Sequence, residues 1–257
     1  MLIREPKSNV WLPFCIHQSP ARVRLFCFSY AGGSASTFRG WPTGFPADIQ
    51  VCPIELPGRG TRFKEPPSQQ LVPLARAVGE GIFPYLDRPF AIFGHSMGGR
   101  LGFEVCRDLE ARFGIQPLVF FASGTTSPEI SEPNPAHNLP DDLLIARLRE
   151  LNQSRPGTFD YPELLQLMIP VLRADLSVSE TYVYKAGPRL LCPMVVLGGI
   201  SDLETTQEGL QGWKQYAISF KMKMFPGDHF FINTAKTLVL KTILDEIRTA
   251  QPQTGNG

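Results

Sequence analysis

The chain is short of several things that would each point to a particular class of protein. It has almost no charge imbalance: 25 Lys+Arg stand against 24 Asp+Glu over 257 residues, a formal net charge of +1. That balance offers no basic face to nucleic acid and none to an anionic membrane. No apolar run comes near the roughly 18 uninterrupted residues of a membrane span. The opening MLIREPKSNVWLPF breaks up its apolar residues with Arg4, Glu5, Pro6 and Lys7, where a signal peptide would need a continuous stretch. A cytoplasmic protein is the expectation. Cys15, Cys27, Cys52, Cys106 and Cys192 are odd in number, lack CxxC spacing and have no histidine placed to complete a zinc site, so no metal is expected. Cys27, Cys52 and Cys192 lie in or beside apolar runs and read as small buried hydrophobes with free thiols. Neither GxGxxG nor GxxxxGK[ST] occurs, and no cofactor is expected.

What is present describes a folded α/β protein. The composition, 43% hydrophobic and 19% charged, is that of a globular domain. Short apolar runs recur at Val23–Tyr30, Ile49–Leu56, Phe90–Phe93, Leu118–Ala122, Pro193–Leu197 and Phe220–Phe225. Most lack polar alternation, as strands of a parallel sheet covered on both faces do. Amphipathic stretches such as Leu71–Leu86 and Gly99–Phe113 lie between them, so helices flanking a mostly parallel sheet are predicted. Residues 129–187 break the pattern. They hold no strand candidate but a Pro- and Asn-rich opening, a helix beginning near Asp141, and a second helical run around Pro162–Tyr184. The organisation predicted is a core of residues 1–128 and 188–257, with 129–187 inserted as a helical lid and 251–257 as a disordered tail.

Gly94-His95-Ser96-Met97-Gly98 contains Gly-x-Ser-x-Gly, directly after the apolar run FAIF and directly before a helical pattern. A turn that tight from strand to helix leaves room only for glycine at the flanking positions. It lifts the Ser96 hydroxyl above the sheet at a helix N-terminus, where developing negative charge is favoured. Ser96 is the candidate nucleophile. Of the four histidines, His17 precedes the first strand, His95 is locked inside the elbow and His137 belongs to the lid opening. His229, in the turn PGDHFF after the last strand run, is the candidate base, because loops after strands gather at one edge of such a sheet. Asp202, in the loop after PMVVL, is the candidate acid, with Glu204 as a nearby alternative. Asp228 is adjacent to His229 and reads as a loop anchor. The oxyanion would be met by the backbone N–H of Met97 and a second from the loop Ser29–Ala35, assigned to Ala31; Gly32 and Gly33 let that loop bend towards the site.

With these residues placed, the chain resembles the type II thioesterases of nonribosomal peptide and polyketide assembly lines, members of the α/β-hydrolase superfamily. The segments that carry the resemblance are FSYAGGSAS at 28–36, ELPGRGTR at 55–62, GHSMGG at 94–99, FEVCRDLE at 103–110, ASGTTSP at 122–128 and HNLPDD at 137–142, followed by LLQLMIPVLRADLSVSETY at 164–182 and GDHFFI at 227–232. Two places depart from the family: Ser29 stands where Pro is usual, and Leu151-Asn152-Gln153 replaces a Gly-containing segment. The resemblance implies the α/β-hydrolase fold, no cofactor, and a monomer that hydrolyses acyl groups from the phosphopantetheine arm of carrier proteins. By the same resemblance it would clear aberrant or stalled acyl units from such synthases. Arg147, Arg149, Arg155 and Arg173 would offer charge to an acidic carrier, or form an ordinary solvated face. A medium-chain fatty-acyl thioesterase, an oxygen-ester carboxylesterase or lipase, and a carrier-binding protein without catalysis are the alternatives; the complete Ser-Asp-His set argues against the last.

Overall fold

Runs without polar alternation become strands whose two faces both meet apolar partners. A computed structural model describes residues 9–16, 19–151 and 162–251. The strands are β1 (Val23–Phe28), β2 (Ile49–Pro53), β3 (Phe90–His95), β4 (Phe120–Ser123), β5 (Leu190–Gly199) and β6 (Ala217–Phe225). Their order is β2-β1-β3-β4-β5-β6, and every pairing is parallel. Strands β1, β3 and β4 are buried at every position. Successive side chains enter opposite layers: Phe26, Phe28, Ile92 and Phe120 go to one, Leu25, Cys27, Phe93 and Phe121 to the other. The first layer is roofed by α1 (Leu71–Ile82) and α2 (Met97–Phe113), joined by Trp213, and the second by α7 (Lys236–Ala250) together with Phe38 and Trp41.

Chain direction reverses between β1 and β3, where the first connection runs outward to β2 and the next returns. Such a switch point leaves a crevice at the carboxyl ends of the two strands. The loop after β1 and the turn after β3 both open into it. Helix α2 starts at that turn and stops at Gly114, whose left-handed φ of 66° lets its N–H close back on the carbonyls of Glu110 and Leu109.

Between β4 and β5 the described chain holds no strand but two helices, α3 (Asp141–Leu151) and α4 (Pro162–Glu180). They have a small apolar cluster of their own, built on Ala136, Leu144, Leu148, Leu165 and Leu172. The end of the block returns to the main core through Val178 and Tyr182. Two short helices, α5 (Gln207–Gln211) and α6 (Phe231–Thr234), complete the described chain. Residues 252–257 of the expected tail, His17 and Arg155 lie outside the described residues, as do Asn152 and Gln153 of the departing segment. None of the described helices is long and apolar enough to cross a membrane.

One expectation is corrected. Cys52 is not a free thiol: it forms a disulfide with Cys15, their Cα atoms 4.9 Å apart. Residues 9–16 fold back so that the Glu55 N–H donates to the Trp11 carbonyl at 2.9 Å, which brings Cys15 beside β2. A pairing across 37 positions leaves no trace in local spacing. Cys27, Cys106 and Cys192 are free and buried.

Candidate active site

Ser96 is the one non-glycine residue among those described with a positive φ, at 55° with ψ −124°. An L side chain reaches that conformation at a cost of order 1–3 kcal/mol, so surrounding structure must impose it. The flanking glycines show how. A Cβ on Gly94 would lie 2.0 Å from the Gly98 carbonyl oxygen, and one on Gly98 would lie 2.5 Å from that of Phe28. The Ser96 N–H donates to the Ser123 carbonyl at 2.8 Å, and the Gly99 N–H to the Ser96 carbonyl at 2.8 Å. The serine is thus fixed at the first turn of α2 with its side chain at the crevice.

His229 comes from the turn after β6 and Asp202 from the loop after β5. Nδ1 of His229 is 2.9 Å from Asp202 Oδ2. The carboxylate also accepts from the Glu204 N–H at 2.8 Å and from the Thr205 hydroxyl at 2.7 Å. Burial by itself would raise the Asp202 carboxyl; the hydrogen bond and charge of His229, with the other two donors, outweigh it and hold the group below the usual carboxylate range. Asp202 is therefore ionised, and it fixes the proton of neutral His229 on Nδ1, leaving Nε2 with its lone pair. Among the described residues Ser96 makes no side-chain hydrogen bond to His229, but both line one cavity of about 460 Å³. Unliganded hydrolase sites commonly show this contact long, tightening only around substrate.

The remaining candidates fall into place or out of it. Met97 and Ala31 line the same cavity. Asp228 faces away from the histidine ring and accepts from the Phe230 N–H at 2.8 Å, anchoring the loop. Glu204 pairs with Arg147 at 3.1 Å, and burial raises its carboxyl against that charge; it does not bond His229. His95 is fully buried with Nδ1 2.9 Å from the Ser123 hydroxyl, and burial, then the charge of His229, pushes it down to about 3. His137 belongs to the helical block and bonds Glu180 at 2.7 Å.

Three further features lie at or beside the cavity. Met168, Leu172 and Leu176, four apart on α4, form an apolar wall of the cavity, whereas Leu167 points outward and is 75% exposed. In the sequence Leu164, Leu165, Leu167, Met168 and Leu172 recur at helical spacing, which does not say which of them face inward. Arg100, one turn after Ser96 on α2, is buried at the cavity and donates to the carbonyls of Ser179 and Ile130 and the Thr126 hydroxyl. Asp175 does not pair with Arg173. It takes Arg59 instead, at 2.7 Å through Nη2, and Arg173 bonds Asp141 at 2.6 Å. Arg147 and Arg173 thus each have a carboxylate partner within the chain while remaining partly exposed.

Comparison with known proteins places this geometry among relatives. A family model described as "Thioesterase domain" matches residues 23–247. The chain is 40% identical over 238 residues to "Linear gramicidin dehydrogenase LgrE" of Brevibacillus parabrevis, covering 91% of this chain and 90% of that protein. It is 37% identical over 242 residues to "Gramicidin S biosynthesis protein GrsT" of Aneurinibacillus migulanus, covering 93% and 94%. Among solved structures, the thioesterase RedJ from the prodiginine pathway of Streptomyces coelicolor superposes with a TM-score of 0.85 at 35% identity, over 88% of this chain and 91% of that one. The word dehydrogenase in the first name finds no support in this sequence, which has no dinucleotide-binding GxGxxG.

Proposed function

The chain belongs to the thioesterase family, and from that premise we propose that it hydrolyses acyl thioesters held on the phosphopantetheine arm of carrier proteins, clearing stalled acyl groups from nonribosomal peptide or polyketide synthases. The observation that carries the reading is the His229–Asp202 hydrogen bond together with a serine in a strained strand-to-helix turn, Ser96 and His229 facing one cavity. Names such as gramicidin S biosynthesis protein support the pathway class.

In this reading Ser96 Oγ attacks the thioester carbonyl while Nε2 of His229 takes its proton. The carbonyl oxygen becomes an oxyanion facing the N–H groups of Met97 and Ala31, at the positive end of α2. The C–S bond breaks, and His229 returns the proton to the departing sulfur. Water then attacks the acyl-serine ester, giving its proton to His229; collapse releases the acid and restores the Ser96 hydroxyl. No step needs a metal or a redox group. The apolar wall of Met168, Leu172 and Leu176 suits an acyl chain, and the helical block that carries it acts as a lid. Apolar walls discriminate by only about 1–3 kcal/mol per methylene, so tolerance of varied acyl groups is expected. The carrier protein then supplies much of the selectivity.

The test is hydrolysis of acyl-carrier thioesters by purified wild type and Ser96→Ala. The variant is expected to lose at least about 10⁴-fold in kcat with its circular dichroism and Tm retained. Comparison with p-nitrophenyl esters and free acyl-pantetheine, at matched acyl group, should favour the carrier thioester. Wild-type turnover in a folded Ser96→Ala protein would refute the reading.

A further inference from the structure

The loop after β1 holds the amide assigned to the oxyanion, and two consecutive glycines, Gly32 and Gly33, widen the backbone conformations open to it. Gly32 adopts a left-handed φ of 74°. Within the loop the Gly33 N–H donates to the Tyr30 carbonyl at 2.9 Å; its other contacts come from outside. The Gly32 N–H donates to Asp175 Oδ2 on α4 at 2.7 Å. Arg59, from the segment after β2, donates to the Gly33 carbonyl at 3.3 Å and clamps both oxygens of Asp175. Glu55 accepts from the Ala35 N–H at 3.1 Å. One turn before Asp175, Leu172 comes so close that a Cβ on Gly32 would lie 2.4 Å from its Cδ2. The three segments PGRG, AGG and LRAD therefore meet at the peptide unit immediately after Ala31.

We propose that Asp175 and Arg59 are positioning residues for the Ala31 amide, so that helix α4 sets the oxyanion loop in its active geometry. The inference rests on the triad reading above. Asp175 and Arg59 are 1% and 7% exposed. A solvent-excluded ion pair adds little net stability, because desolvation offsets most of the attraction. What this pair does supply is direction. One carboxylate oxygen is shared between a guanidinium and the Gly32 N–H, which orients the peptide plane that follows Ala31. Neither Asp175 nor Arg59 lines the cavity, so each acts on the reaction through the loop alone. A consequence is that α4 moving away from the sheet also releases the oxyanion loop. Entry of substrate and assembly of the site are then coupled.

The experiment compares wild type, Asp175→Asn, and the double variant Arg59→Met/Asp175→Leu on one acyl-pantetheine thioester. A donor displaced by a fraction of an ångström should cost about 10- to 100-fold in kcat, with KM within about threefold. Binding of an alkyl boronic acid, whose Ser96 adduct carries the tetrahedral oxygen, should weaken in parallel. The double variant replaces the buried charges with apolar groups. It is expected to regain thermal stability relative to Asp175→Asn and to remain slow. If the folded single variant keeps its kcat, or if the double variant recovers activity along with stability, the pair is only structural and the proposal falls. The outcomes separate cleanly from failure of the triad reading, which would appear as an inactive wild type or an active Ser96→Ala.

Discussion

The carboxyl edge of the sheet and the α3–α4 block enclose the same cavity, but they are held by forces of different rank. At the sheet edge the constraint is backbone contact: Gly94 packs on Gly98 and Gly98 on the Phe28 carbonyl, with no room for a methyl group. Asp202 is fixed by three donors and its side chain has no exposed surface. Among the described residues the helical block has an apolar cluster of its own with five buried members, and it reaches its surroundings through Val178 and Tyr182, the buried Arg59–Asp175 pair and ion pairs nearer the surface. Arg147–Glu204, which leaves the block, and Arg173–Asp141, which joins its two helices, are partly exposed, and such pairs are typically worth about 0–1 kcal/mol. The difference divides the labour. In the proposed function, the groups that would move protons sit where a shift is costly, and those that would admit and sort acyl chains sit where it costs less.

The largest effect expected from this contrast lies at the sheet edge. Asp202→Asn should lower kcat by roughly 10⁴, since an amide cannot hold the His229 tautomer or stabilise its protonated form. Asp228→Asn, one residue from the same histidine, should cost less than about threefold, because its contact is the Phe230 N–H and an amide oxygen can accept that bond. Steady-state kinetics on one carrier thioester rank the two. If Asp228→Asn were the more damaging, the geometric distinction between a neighbour in sequence and a partner in space would fail.

How far the sequence reveals these regions follows the same division. Most of the strands were legible because they are buried on both faces and therefore apolar throughout; β6, at the sheet edge with Lys221 and Lys223, stood out only through its run of large apolar residues. The elbow was legible because only glycine fits beside Ser96. Asp202 and His229 followed from position alone, each in a loop after a strand of a parallel sheet. The helical block was visible as an interruption, but its contacts were not. Asp175 pairs with Arg59 across 116 positions rather than with its neighbour Arg173, and nothing in local spacing encodes that choice. The Cys15–Cys52 link escaped for the same reason.

A second, intermediate effect separates the core from its surroundings by pH. His95 titrates near 6.5 when unfolded, but burial among apolar and aromatic neighbours pushes it down to about 3 in the folded chain. Between those values the unfolded chain binds a proton that the native one refuses. The contribution is therefore fully present above pH 6.5 and is lost as pH falls towards 3, with a slope of up to about 1.4 kcal/mol per pH unit. Urea unfolding of wild type and His95→Gln between pH 7 and roughly 4.5 measures it. The variant will be less stable at neutral pH, having lost the bond to Ser123, but its stability should fall less steeply on acidification. Parallel slopes would mean that His95 gains a proton without unfolding.

The smallest effect expected is at the contact that joins the two regions. Arg147 on α3 reaches Glu204, two residues beyond Asp202, at 3.1 Å, and their side chains are 33% and 22% exposed. Because the Glu204 N–H donates to Asp202, this pair ends one bond away from the triad, so a strong latch would transmit to catalysis. Its geometry argues against that. The bond to Asp202 runs through the Glu204 backbone, which survives any change of side chain. Arg147 also has an alternative partner in Glu150 at 3.5 Å. A double-mutant cycle with Arg147→Met and Glu204→Gln should therefore give a coupling of about 0.2–1 kcal/mol in stability, shrinking further in 1 M salt. In the same variants kcat should stay within about threefold and KM should carry the change, since both side chains line the cavity. A coupling above about 2 kcal/mol, or a kcat loss comparable with that of Asp202→Asn, would show that the helical block is fastened to the acid loop as firmly as the sheet is, and would remove the division of labour.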